Sequence, residues 1–392
     1  MAPLVGIARL AAEGPLLEAK RRVEYHELPT RKFITRCASD RVPFGYTINP
    51  YRGCEFGCQY CYARYTHEFM ELRDPRDFEQ RIFAKRFDAA SFRAEFARIP
   101  RREHIAIGTA TDPYQPAERR YGLTRRMLEI IAQDRGRRLW ITTKSDLAAR
   151  DADLLAAIAR RNRVTLNMTI TTTDEALARD LEPYAPRPAL RLAAIRTLAA
   201  AGVRCGVSCA PIMPLINDSA ASIGAVARAA SEAGASTFWA NVLFLKPCSR
   251  QVFLPFVEAR FPNLARRYRE RYSESPFLRG DYPETIRQRA QSARQQYGLE
   301  HQGFEYDAEH LAEEPQVPLF EIHAAQPAGQ AGPPTLKPPG PIPPGTRSPT
   351  HPNHSAQPEA AEPSPAWQQS VEEWKRRRAP GPHRGPPRRQ AP

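Results

Sequence analysis

The sequence predicts an α/β protein built on a parallel sheet of six strands, open or curled into a partial (β/α)6 barrel over about residues 40–255. Short β-branched runs alternate with longer amphipathic segments, which implies parallel strands joined by right-handed helical crossovers. Polar residues gather just after the strand runs, at the carboxyl edge where such folds place their sites.

The first strand is expected near 45–49, followed by 104–109, 138–143, 164–171, 203–210 and 237–245. Helical periodicity fills the gaps, for example at 123–133, 150–160, 188–201 and 219–233. Gly202 and Gly234 stand where helix stops belong. Residues 1–40 and 256–323 fit neither pattern and are expected as an N-terminal and a C-terminal extension packed on the 41–255 core. Proline marks the last boundary: residues 324–392 hold 18 of the 39 prolines. Such a stretch buries too little apolar surface to order itself, so a disordered, basic tail is expected. Within it Trp367, Val371 and Trp374 precede Lys375, Arg376, Arg377 and Arg378. That island reads either as a short helix that folds on a partner or as incidental aromatics in a disordered tail.

No run of about 18 apolar residues exists, so no membrane span is expected. The first 17 residues lack a basic segment ahead of an apolar one, which points to the cytoplasm. A net charge of +14 suggests an anionic partner such as nucleic acid, although the tail carries part of the excess. Seven cysteines, an odd number, argue for metal or redox chemistry rather than a disulfide framework.

The strongest signal is Asn49-Pro50-Tyr51-Arg52-Gly53-Cys54-Glu55-Phe56-Gly57-Cys58-Gln59-Tyr60-Cys61-Tyr62. Three thiolates spaced by three and then two residues can hold three corners of a cubane cluster from one loop, and Gly53 and Gly57 let the backbone approach it. A structural zinc site needs a fourth ligand, for which His67 is the nearby candidate. An iron left without a protein ligand can instead take the amino and carboxylate groups of a cofactor.

This loop resembles that of the radical S-adenosylmethionine (SAM) superfamily, whose CxxxCxxC cysteines hold a [4Fe-4S] cluster. The resemblance implies a partial (β/α)6 radical SAM barrel, cleavage of SAM to a 5′-deoxyadenosyl radical, hydrogen abstraction from a substrate, and an electron donor such as flavodoxin or ferredoxin. Further blocks, Ile107 through Glu118, Thr143-Lys144-Ser145 with Arg150-Asp151, Leu181-Glu182-Pro183, Arg191 and Ala210-Pro211-Ile212, are similar to the spore photoproduct lyase-like (DNA repair photolyase-like) subgroup. Carried over residue by residue, the resemblance sets Cys54, Cys58 and Cys61 on the cluster and Tyr60 against adenine. It sets Thr111 and Asp112 on the SAM ammonium, Lys144 on its carboxylate, Thr169 on the ribose or carboxylate, and Arg191 as a fork to the carboxylate. The subgroup's lyase has a hydrogen-donating cysteine after the second strand; the stretch Gly108-Thr109-Ala110-Thr111 has none. Cys209 and Cys248 are the remaining donor candidates, and Cys37 reads as structural. The substrate stays open between a damaged or modified base in nucleic acid and a peptide or small metabolite. A non-catalytic Fe–S or zinc protein that recruits partners through its tail is the third alternative.

Overall fold

A computed structural model describes residues 4–301 apart from 21, 31 and 38–41. The expectations for 302–392, including the Trp367–Trp374 island, lie outside the described residues. Strands run as β1 (Leu16–Ala19), β2 (Glu24–Leu28), β3 (Ile34–Arg36), β4 (Tyr46–Ile48), β5 (Tyr51–Arg52) and β6 (Arg81–Lys85) in the first part of the chain. They continue as β7 (His104–Ile107), β8 (Arg138–Thr143), β9 (Arg163–Thr169), β10 (Arg204–Ile212), β11 (Thr237–Val242) and β12 (Glu300–His301).

The main sheet has the order β12-β11-β10-β9-β8-β7-β4-β3. Its six central strands, β4 and β7 through β11, are parallel and stand in sequence order. These are the six expected strands. The sheet ends at β3, antiparallel to β4, and at β12, parallel to β11.

Alternation decides what each strand gives to each face. Val164, Leu166 and Met168 of β9, and Cys205, Val207 and Cys209 of β10, enter one apolar core with Ile195, Leu198, Val226 and Leu155 of the crossover helices. The opposite face carries the polar set Asn167, Thr169 and Ser208, all buried. Gly202 (φ +83°) and Gly234 (φ +86°) end the helices Pro188–Ala200 and Ala220–Glu232 in the left-handed region, as expected.

A second sheet, β1-β2-β6-β5, has no counterpart in the expected strands. Its members are two to five residues long, and β2 (Glu-Tyr-His-Glu-Leu) interleaves charge with only two fully buried side chains. Such strands have too little apolar alternation to be read locally; tertiary pairing of β2 with β6 and of β6 with β5 makes them.

The C-terminal helices Pro247–Arg260 and Pro262–Arg271 form a separate apolar core with Cys54, Phe56, Cys58 and Tyr60, through Phe253, Val257, Tyr268 and Tyr272. Tyr268 Oη donates to Pro214 O (2.8 Å) and Tyr272 Oη to Leu243 O (2.9 Å), so the second of these helices is fastened to the segments that follow β10 and β11. The carboxyl edge of the sheet is thereby covered on that side. Helix Asp281–Tyr297 packs against Ala220–Glu232 and β11. Among the described residues no helix is long and apolar enough to cross a membrane.

Candidate active site

The cysteine loop leaves β4 at the carboxyl edge. Asn49 ties it to the segment after β7: its Nδ2 donates to Thr109 Oγ1 (3.2 Å) and its Oδ1 accepts from Ala110 N (2.9 Å). Gly53 takes φ +83°, and a Cβ there would lie 2.8 Å from Phe78 O and 2.9 Å from Arg81 O. Phe78 O is also the acceptor for Cys54 N (2.9 Å), so the close approach anchors the first cysteine. Gln115, fully buried, clamps the backbone on both sides of Cys54. Its Oε1 accepts from Glu55 N (3.0 Å) and its Nε2 donates to Gly53 O (3.0 Å). Farther along, Arg64 Nη2 donates to Cys58 O (3.0 Å) and pairs with Glu79, while Ser249 Oγ donates to Cys61 O (2.9 Å).

Cys54 and Cys58 are buried and Cys61 is half-buried. Burial raises all three thiol pKa values, that of Cys58 to about 12. Cys54 and Cys58 belong to one apolar cluster, and Cys61 packs against it. Thiols so placed ionise when a metal replaces the proton. Among the described residues no three His, Cys, Asp or Glu side chains converge to hold one ion. A cubane offers a separate iron to each thiolate, so its ligands need not meet at a point. Three thiols on a loop whose glycines leave room for close approach fit such a cluster. His67, proposed as a zinc ligand, packs edge-on to Phe78 and Phe83, with its Nε2 3.0 Å from Arg81 O. Burial lowers its pKa to about 4 and keeps it neutral.

The expected SAM contacts lie around this loop, in unequal states of commitment. Lys144 Nζ stands 5.5 Å over the Tyr60 ring. Burial opposes its charge, but Cys58 and Glu182 outweigh burial and raise its pKa. Thr111 Oγ1 already donates to Gly53 O and accepts from Gln115 Nε2 (2.9 Å). Asp112 Oδ1 accepts from Thr143 Oγ1 (2.7 Å) and Tyr114 N (2.9 Å), and its Oδ2 from Lys144 N (2.7 Å). The Asp112 carboxylate thus joins the ends of β7 and β8, and Oδ2 keeps a lone pair for a further donor. Thr169 is buried at the end of β9, on the polar face.

Arg191 differs from its expected role. Its guanidinium is enclosed, with Nε donating to Pro186 O (2.7 Å) and Nη1 to Thr169 O (2.9 Å), while Nη2 forms an ion pair with Glu182 Oε2 at 2.5 Å. Those bonds occupy the fork that was expected to meet a carboxylate of SAM. Cys209 likewise belongs to the core behind the sheet, with Sγ 3.9 Å from Thr171 O. Cys205 and Cys209 share that face, where a thiol meets crossover helices rather than the polar side. Cys248 is buried beside Ser249, which bonds the cysteine loop. Cys37 is half-buried, its N–H bonded to Gly45 O.

A buried ion network reaches the loop from below. Glu118 accepts from Tyr51 Oη (2.6 Å), Thr124 N (2.9 Å) and Arg150 Nη2 (3.0 Å), and Asp151 from Arg150 and from Arg125 (2.6 Å). Gln115, Glu118, Arg150, Asp151 and Glu182 stand in the blocks that carry the subgroup resemblance, yet motif matching gave them no role. Contacts between residues up to 122 positions apart supply it.

Comparison with known proteins agrees with this architecture. The model of the "Radical SAM superfamily" matches residues 48–224. The chain is 36% identical over 269 residues to "Uncharacterized protein Rv2578c" of Mycobacterium tuberculosis, covering 68% of this chain and 79% of that one. It is 30% identical over 177 residues to "Uncharacterized protein MJ0683" of Methanocaldococcus jannaschii, covering 44% and 62%. Among solved structures, "Spore photoproduct lyase complexed with dinucleoside spore photoproduct" matches with a TM-score of 0.51 at 15% identity, over 70% of this chain and 79% of that one. That likeness is one of fold.

Proposed function

Because the chain belongs to the radical SAM superfamily, we propose that Cys54, Cys58 and Cys61 hold a [4Fe-4S] cluster and that SAM binds at its free iron. When bound, the cluster supplies the electron that cleaves SAM to methionine and a 5′-deoxyadenosyl radical, which takes hydrogen from a substrate. The chain's own residues bind, orient and shield. Tyr60, between two of the cysteines, offers its ring to adenine, and Lys144 offers a half-buried ammonium to the SAM carboxylate. Asp112 Oδ2 and Thr111 accept from the SAM ammonium, and Thr169 offers a hydroxyl to ribose or carboxylate. Helices Pro247–Arg260 and Pro262–Arg271 keep water from the loop by packing Phe253, Val257, Tyr268 and Tyr272 against it. Lys144 over Tyr60, beside Cys58, is the observation that carries the reading: a cation and an aromatic face are presented together next to the thiols.

A cytoplasmic enzyme fed by flavodoxin or ferredoxin fits this chemistry, and a base in nucleic acid is the substrate class we favour. The net charge of +14 and the lyase-like subgroup blocks support it. A base within a duplex must be flipped out or met single-stranded. The test is anaerobic turnover with deuterated candidate substrates, nucleic acid first, reading deuterium in 5′-deoxyadenosine. Transfer from a nucleoside position supports the assignment; transfer from a peptide or small metabolite alone replaces the substrate class.

A further inference from the structure

We propose that Glu182 and Arg191 are a positioning pair that fixes the Tyr60 ring, and Lys144 above it, in the arrangement that receives SAM. The inference rests on the functional reading above and assigns a role to two residues that do not themselves touch the cofactor.

The geometry is a chain of buried bonds. Arg191 (1% exposed) is pinned at the end of β9 by Pro186 O and Thr169 O. It holds Glu182 (2% exposed) at 2.5 Å. The other carboxylate oxygen of Glu182 accepts from the Tyr60 hydroxyl, 122 residues away in sequence, and from Thr171 Oγ1 (3.3 Å). Tyr60 lies between Cys58 and Cys61, and its ring is the one beneath Lys144. Glu182 therefore bonds one of the expected SAM contacts, Tyr60, whose ring lies 5.5 Å beneath another, Lys144.

Energetics argues against a purely stabilising purpose. Burying an ion pair costs desolvation that its attraction rarely exceeds, and an apolar pair of similar volume would serve a core as well. What a charged pair adds is direction. A tyrosine hydroxyl bonded to an immobilised carboxylate fixes χ1 and the axis along which the ring lies, which packing alone leaves freer to shift.

The test uses the anaerobically reconstituted full chain with Tyr60→Phe, Glu182→Gln and the double variant. Iron content and Tm report folding; SAM-induced change in the electron paramagnetic resonance signal of the reduced cluster, titrated with SAM, reports positioning. Each single variant should keep its iron and bind SAM about tenfold more weakly, the low end for losing a hydrogen bond to a charged group. The double variant should be no weaker than the worse single one, because both cut the same tether. Unchanged titrations in both singles, or additive losses in the double, overturn the assignment. So does a Glu182→Gln protein that loses iron while Tyr60→Phe binds SAM normally, since the pair would then be a folding element. A wild type that holds a cluster but shows no SAM titration would refute the functional reading instead.

Discussion

Gly53 and Gly57 both take a left-handed φ, +83° and +60°, yet the structure separates their replacement by alanine. Left-handed backbone costs an L-residue about 1–2 kcal/mol at either position. At Gly57 the new methyl would meet Tyr184 Cδ2 at 2.9 Å, and Tyr184 is an exposed ring (53%) that can swing aside. At Gly53 it would meet Phe78 O at 2.8 Å and Arg81 O at 2.9 Å. Both are backbone atoms, and the first holds Cys54 N. Displacing it adds the loss of a hydrogen bond, about 1–2 kcal/mol more, and moves a cluster ligand. Gly53→Ala should thus lower Tm more than Gly57→Ala and, unlike it, reduce iron and sulfide per chain after anaerobic reconstitution. Equal loss of iron in the two variants, or a larger loss in Gly57→Ala, would refute the reasoning.

Other consequences can be checked with similar preparations. Lys144→Ala should retain iron and weaken SAM binding roughly ten- to a hundredfold, the cost of losing a charged partner, as read by equilibrium titration. Lys85 is buried against Lys32 O and Phe33 O, and burial, with Arg52, lowers its pKa from 10.5 to about 7. Between those values the unfolded chain binds more protons, so stability should rise as pH rises from about 7 towards 10. Lys85→Met should flatten that rise in Tm against pH; an unchanged slope would place its source elsewhere. A chain ending at residue 323 should keep its cluster and its rate of SAM cleavage, because every residue named above as lining or shielding the site precedes residue 273, and loss of the cluster would contradict this.

The six core strands and the cysteine loop were legible because their signals are local: β-branched runs between amphipathic helices, and three thiols within eight residues. The small sheet was not, because β5 and β6 acquire their pairing only when the loop folds back on the N-terminal strands. Arg191 shows a different limit. Its position matched a family pattern, but whether its fork meets a ligand or Glu182 depends on residue 182 arriving beside it, which no spacing records. Cys209 was placed correctly near a carboxyl edge, whereas strand parity puts its thiol among the helices. The chemistry-bearing types were therefore visible in sequence, and the division between contacting and positioning residues required the fold.

The central claim, that three thiolates hold a cluster that cleaves SAM, is tested most directly by one anaerobic assay. The reconstituted chain is mixed with SAM with and without a low-potential reductant, alongside Cys54→Ala, Cys58→Ala and Cys61→Ala. The account predicts one [4Fe-4S] cluster per wild-type chain, 5′-deoxyadenosine only when reductant is present, and neither cluster nor product in each variant. Stoichiometric zinc in the wild type, or a full cluster in any one of the three variants, would contradict it.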